Sequence, residues 1–285
     1  MKKITQSLLF VVLTLVLVSC SPEYVKTVKN YARQNDSTAL LLIKPNNIYF
    51  KNFKLYDDST LAQLPPQKVD SALKAKSNFL SWIDKDIIHR IFIDKLLLTL
   101  SETNLRVYTE DYVEEFEKNN VENKYIVDIQ QLEFDEYYDK VVDLYKHLVD
   151  NYGRIDTIIY TDDNYLNAFS ANMWVEFHYP HADTLTKLFA NNYITDYHEG
   201  YYYAMDGEII HDEERIALTD DNIIEFLDII AVRYANYIYD LVMNDYVTKR
   251  NSIHTEDAGK TLHYDFHTGR VTLVDESYRF VPAGN

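Results

Sequence analysis

His263, Asp265 and His267 stand two residues apart in the stretch His263-Tyr264-Asp265-Phe266-His267, and neutral imidazole and carboxylate are good ligands for zinc. On a strand this spacing sends all three side chains to one face. Leu262, Tyr264 and Phe266 fill the other face, so the same trio also describes the solvent side of a hairpin, and no fourth ligand is placed by sequence. His178-Tyr179-Pro180-His181 spans a strand end and a proline turn, without the helical spacing or intervening glutamate of a metalloprotease site. With 45 Asp and Glu in the chain, no acid–base pair can be selected, because the separation that defines one is a tertiary fact. There is no Gly-x-Ser-x-Gly elbow, phosphate-binding Gly-Lys loop or dinucleotide glycine pattern. The residues point to a chain that binds rather than catalyses, with no cofactor.

Trp174 is the other residue whose type and place matter. From Tyr165 to Tyr179 the sequence alternates: Phe169, Ala171, Met173, Val175 and Phe177 share one phase, and Ser170, Asn172, Glu176 and His178 the other. A period of two sustained this long means an antiparallel strand with one wet face. Trp174 lies on the wet phase, where an indole either packs under a neighbouring element or marks a contact surface. Trp174, Glu176 and His178 are the candidate binding surface.

The elements that must position these residues read as α+β: a mixed, largely antiparallel sheet packed on a few long helices at Phe79–Leu100, Glu136–Tyr152 and Asn222–Tyr246. Trp82, Ile87, Ile88, Ile91, Phe92, Leu96 and Leu97 cover more than half of the first, as a central core helix requires. Val141, Leu144, Tyr145 and Leu148 stripe the second, which stops at Gly153. The third carries Glu225, Asp228, Arg233 and Asp240 at intervals that exclude a membrane span. Ala39–Ile43, Ile48–Phe50, Leu105–Tyr108 and Thr157–Tyr160 read as strands, Asp111–Lys118 and Thr184–Ala190 as short helices. In Tyr125–Phe134 the alternation changes phase at Gln130-Gln131, as one bulge residue would make it. Asp206-Gly207 suits a hairpin turn, and Thr268-Gly269 a second between Thr261–His267 and Arg270–Val274. Thr-Asp-Asp-Asn occurs at 161–164 and 219–222, as turn and helix-cap chemistry. Tyrosine is in surplus, with 25 copies against 13 Phe; the ring packs while the hydroxyl stays wet, and stacking on sugars is the other use.

Lys2 and Lys3, an apolar run from Leu8 to Val18 broken only by Thr14, and small Ser19 before Cys20 have the form of a secretory signal. The run is shorter than the ~20 residues of a membrane span. Cys20 is the sole cysteine, so the expected mature domain has no disulfide. Loss of residues 1–19 takes Lys2 and Lys3 away and moves the formal charge from −17 to −19. Such acidity argues against nucleic acid, and against docking on anionic lipid through protein charge. Ser21–Ser37, polar and mixed in charge, reads as a tether with a weak helical pattern at Tyr24, Val28 and Tyr31; a single domain is expected over 38–285.

Leu17-Val18-Ser19-Cys20 resembles the lipobox of bacterial lipoproteins. The resemblance implies cleavage before Cys20, acylation of its sulfur, and attachment to a membrane through the acyl chains. Ser21, where many inner-membrane lipoproteins of Gram-negative cells carry Asp, points to the outer membrane. The order Ala39–Ile43, Phe79–Leu100, Tyr125–Phe134 and Phe169–Phe177 is similar to that of periplasmic assembly lipoproteins of the ABC-transporter auxiliary and CsgG/LpoB-like groups. This likeness implies an accessory role with an envelope protein partner. A surface glycan binder or hydrolase is the alternative.

Overall fold

Phe169, Ala171, Met173, Val175 and Phe177 are all fully buried, and the plane of the fold is set by the strand that carries them. The computed structural model describes residues 23–34, 38–54, 64–146, 159–180, 185–205, 208–251, 260–275 and 279–283. In chain order its strands are β1 (Thr38–Ile43), β2 (Ile48–Asn52), β3 (Arg106–Thr109), β4 (Asn123–Lys146), β5 (Ile159–His178), β6 (Leu185–Thr195), β7 (Tyr197–Met205), β8 (Glu208–Ile216), β9 (Lys260–Asp265), β10 (Arg270–Asp275) and β11 (Val281–Pro282). Its helices are α1 (Glu23–Arg33), α2 (Pro66–Ala75), α3 (Lys85–Ile88), α4 (Asp94–Ser101), α5 (Val113–Lys118) and α6 (Asp220–Asn251). The main sheet has seven strands in the order β11-β6-β5-β4-β1-β3, with β2 also on β4. The pairs β4–β5, β5–β6 and β6–β11 are antiparallel, whereas β1 and β2 lie parallel to β4 and β3 parallel to β1. The fold is α+β.

β4 is long enough for β1 and β2 to share one of its edges in succession. β1 pairs with Asn123–Asp128 and β2 with Leu132–Glu136. Between the two the β4–β5 register slips at Ile129/Gln131, the bulge expected from the phase change. The slip keeps Tyr125, Val127 and Ile129 on the same buried side as Leu132 and Phe134.

On that side the helices cover the sheet. Asp84 opens α3 by accepting a hydrogen bond from the Ile87 amide at 2.8 Å. A π-helical turn, His89–Ile93, then joins α3 to α4 and delivers Phe92 and Ile93 fully into the core. Phe92 meets Phe134 of the sheet and Tyr234 of α6 edge-on, at 6.0 and 5.9 Å between ring centroids. Thr219 and Asn222 cap α6 reciprocally, and Trp82 Nε1 donates to Asp220 at 2.8 Å, tying the start of α6 to the approach to α3. Among the described residues no helix is long and apolar enough to cross a membrane. Two of the buried tyrosines find partners: Tyr234 Oη donates to the Ala171 carbonyl at 2.7 Å, Tyr125 Oη to Asp245 at 2.6 Å. The hydroxyl of fully buried Tyr31 has none among the described residues.

Several elements differ from the sequence reading. Glu136–Lys146 continues β4 instead of forming a helix, because each residue pairs with β5 out to Lys146↔Ile159; residues 147–152 lie outside the described set. Leu185–Ala190 is strand β6, not helix, with Leu188 and Ala190 buried and Lys187 and Phe189 on the other face. The Thr-Asp-Asp-Asn at 161–164 is within β5, so cap chemistry accounts only for the second copy. Phe79–Leu100 becomes helical only at Lys85. Glu23–Arg33 is not a free tether: α1 buries Val28 and Tyr31 completely, with Tyr31 packed 4.5 Å from Tyr246 of α6. The hairpin β7–β8 forms, its turn residues 206–207 lying outside the described set, and β9–β10 forms with a longer turn than read, Phe266–Gly269 in place of Thr268-Gly269.

Candidate functional site

The sheet's second face is the candidate. A small cluster of Ala39, Leu41 and Phe116, with Tyr108 and Ile126 against it, covers this face beside β1 and β3 under α5. Over β4, β5 and β6 no buried apolar cluster covers it among the described residues. Strand register arranges what is left into rows across the strands. Gln131, Trp174 and Phe189 form one row, Tyr49, Glu133, Asn172 and Asn191 the next, and Lys51, Asp135, Ser170 and Tyr193 the third.

The aromatic row is a compact pair. Trp174 and Phe189 have ring centroids 4.7 Å apart, both half-buried. Trp174 therefore packs laterally on its neighbour strand and still presents ring surface outward. Glu176, the next wet-face residue on β5, pairs with Lys187 at 3.4 Å and accepts from Gln130 at 3.4 Å. Gln130 also donates to Asp128 at 2.7 Å. Burial, and then the Glu176 charge, push the Asp128 carboxyl above its ordinary value, with His178 and Gln130 opposing. The three residues nominated from sequence, Trp174, Glu176 and His178, do share this face and are half-buried.

Hydrogen bonds run through the two polar rows in two separate chains. Lys51 Nζ lies 2.5 Å from Glu133, which also accepts from Gln131 at 3.0 Å. Asn191 donates to Asn172 Oδ1 at 2.5 Å, and Asn172 donates to Asp135 Oδ2 at 2.7 Å. Glu133 and Asp135 are only 7% and 9% exposed, low between taller side chains, while Tyr49 and Tyr193 are 44% and 57% exposed at the margins. The other oxygen of Asp135, Oδ1, is buried and has no hydrogen-bond partner among the described residues. Burial, and then the Glu133 carboxylate alongside, push Asp135 up to about 7 against the pull of Lys51 and Asn172. Near neutral pH the pair therefore carries a proton, and the surface can present either a carboxyl donor or a second carboxylate. Glu133 lay within the strand read over Tyr125–Phe134 but was not singled out, and Asp135 was lost between the end of that strand and the helix assigned from Glu136. The alternation of Gln131, Glu133 and Asp135 against Leu132 and Phe134 was the available signal.

No family model matches this chain, and no curated protein matches it.

The histidine trio is divided. β9 ends at Asp265, which pairs with Arg270, so His267 sits in the connecting turn and not on the strand face. The turn spans Phe266–Gly269, and Gly269 closes it in a left-handed conformation, φ +64°, that glycine adopts without strain. Asp265 caps that turn, accepting from the His267 amide at 2.8 Å and the Thr268 hydroxyl at 2.7 Å. Those Thr268 bonds hold its carboxyl below the ordinary value. His263 Nδ1 instead lies 2.8 Å from Oδ2 of Asp240, a buried carboxylate on α6 that also binds Arg279 Nη1 and the Tyr264 amide. Among the described residues no group of three His, Cys, Asp or Glu is placed to hold a metal. Cys20 and His181 lie outside the described residues.

Proposed function

We propose that this is a lipid-anchored protein of the cell envelope, outer membrane by the residue after Cys20, whose domain binds another envelope component through the open face of its sheet. The role is accessory, like that of the assembly lipoproteins its element order resembles. The observation that carries the reading is the Trp174–Phe189 pair set beside an ordered acid–amide chain. Interfaces concentrate energy in aromatic anchors ringed by polar groups, and a chain already hydrogen-bonded in the free protein loses little entropy on binding. A photo-crosslinking residue at Tyr193, in intact cells, tests it. One reproducible envelope protein is expected, lost in Trp174→Ala; a Trp174→Ala protein that keeps its fold and all its partners removes the proposal.

A second reading, a glycan ligand, is favoured by the exposed Tyr49 and Tyr193 that flank the acid–amide chain. Tyrosine rings offer faces for sugar stacking, and Asn and carboxylate oxygens suit hydroxyl groups. Quenching or enhancement of tryptophan fluorescence on titration with envelope glycans, absent in Trp174→Phe, separates this reading from the first.

A further inference from the structure

From charge and placement on α1, resting on the lipid-anchor reading above, we infer that α1 is the face on which the domain lies against anionic lipid headgroups. Its buried stripe is Tyr24, Val28 and Tyr31. At 100° per residue, Lys26, Lys29 and Arg33 fall together on the side opposite that stripe. The only acidic residue of α1 is Glu23, in a chain whose formal charge is −17. Among the described residues, none of the three cations is held in an ion pair. The local charge of this face is thus the reverse of the whole.

Beside the stripe, α1 and the end of α6 enclose a polar cleft of about 440 Å³, lined by Thr27, Asn30, Gln34, Tyr246 and Arg250. Arg250 lies over the Tyr246 ring, 4.7 Å from its centroid, and Gln34 accepts from Tyr246 Oη at 3.1 Å. A guanidinium with the side-chain amides of Asn30 and Gln34 around it suits phosphate oxygens. The distance to the membrane is set by covalent geometry. Three residue steps separate Cys20 from Glu23, a reach of about 10 Å. Because α1 is packed into the core, placing it places the whole domain. Acyl chains retain the protein, and the basic stripe fixes which way up it sits. The net acidity speaks only against adhesion by the surface as a whole.

The orientation has a direction. Val28 and Tyr31 belong to the same core as Leu40 and Leu42, on the helix side of the sheet, whereas Ala39 and Leu41 face the other side. With α1 on the bilayer, the face carrying Trp174 is turned away from it.

The test uses the mature acylated protein in vesicles, with a fluorophore on Asn30→Cys or, as a control, Tyr193→Cys, and a headgroup-attached quencher. In vesicles rich in phosphatidylglycerol, position 30 should be quenched severalfold more than position 193. The preference should vanish in phosphatidylcholine, in the variant combining Lys26→Gln, Lys29→Gln and Arg33→Gln, and at about 1 M salt, where screening acts within about 3 Å. Equal quenching at the two positions, or a preference that survives neutralisation of the stripe, overturns the inference. Mass spectrometry of Cys20 separates this failure from that of the anchor: a chain without acyl groups removes both, whereas an acylated chain with no preferred orientation removes only this one.

Discussion

Lys54 Nζ lies 2.7 Å from Glu136 Oε1 with both side chains out of solvent, at 5% and 0% exposure. Glu136 also accepts from the Ser77 hydroxyl and, at 2.9 Å, from the Phe79 amide, so one carboxylate on β4 fixes the approach to the core helices. Lys54 in turn donates to Asn167 at 2.7 Å, whose amide reaches Asp196 at 2.7 Å, where Arg215 of β8 also binds. Burial alone would raise Glu136, but Lys54, Ser77 and the Phe79 amide hold it below its ordinary value. Its contribution to stability is therefore complete above about pH 4.5 and is lost as pH falls from there through the lowered value. Lys54→Met leaves the carboxylate buried without its cation and should cost about 3–5 kcal/mol in urea unfolding. A loss under about 1 kcal/mol would show that the pair is not a structural clamp.

Asp135 has the opposite sign. Its carboxyl is raised to about 7, so the folded state holds a proton that the unfolded chain releases near 3.8. Stability should fall as pH rises through that window and level off above about 7, by up to about 4 kcal/mol. Asp135→Asn should flatten this slope and be at least as stable as the parent at pH 8. Urea midpoints measured at steps from pH 5 to 8 give the answer; identical slopes in the two proteins would refute the assignment.

Trp174 and Phe177 stand three residues apart on opposite faces and should behave differently when truncated. Phe177 is fully buried against Tyr125, 5.7 Å between centroids, and Phe177→Ala should cost about 3–5 kcal/mol. Trp174→Ala loses lateral packing on Phe189 alone and should cost far less, with the near-native circular dichroism that makes it a usable binding variant.

Asp240 is the tie for the C-terminal hairpin. Asp240→Asn weakens the Arg279 and His263 contacts at once, and hydrogen exchange should speed up in 260–275 and 279–283 while the first turns of α6 stay protected. Exchange rising equally in both regions would mean that Asp240 supports α6 itself.

The parts of this fold legible in sequence were those whose pattern was settled by one face. Phe169 to Phe177 alternated over enough residues to allow no helix, and the slip at Gln130-Gln131 showed in the phase of their neighbours. Glu136–Tyr152 misled because Val141, Leu144, Tyr145 and Leu148 have helical spacing, while the described part of that stretch is settled by pairing with a strand far along the chain. Leu185, Leu188 and Phe189 fit a helix or a strand equally well at that length, and β5 decided between them. The histidine trio failed on the length of a turn, since placing the turn at Thr268-Gly269 put His267 on the strand when it lies in the connection. Trp174 could be placed by alternation, whereas its partner Phe189 and the Glu133–Asp135 pair needed the register of three strands at once.

That α1 is built into the core also bears on where a partner can be met. A domain on a long polar leash could sample a broad volume of the envelope. On the proposed anchor at Cys20, a rigid body three residue steps from its lipid would not: its search would be confined to a layer one molecule deep, with encounters by diffusion in the plane of the bilayer. On the same proposal, a component that it binds would have to bring its own complementary surface to within one domain's height of that membrane.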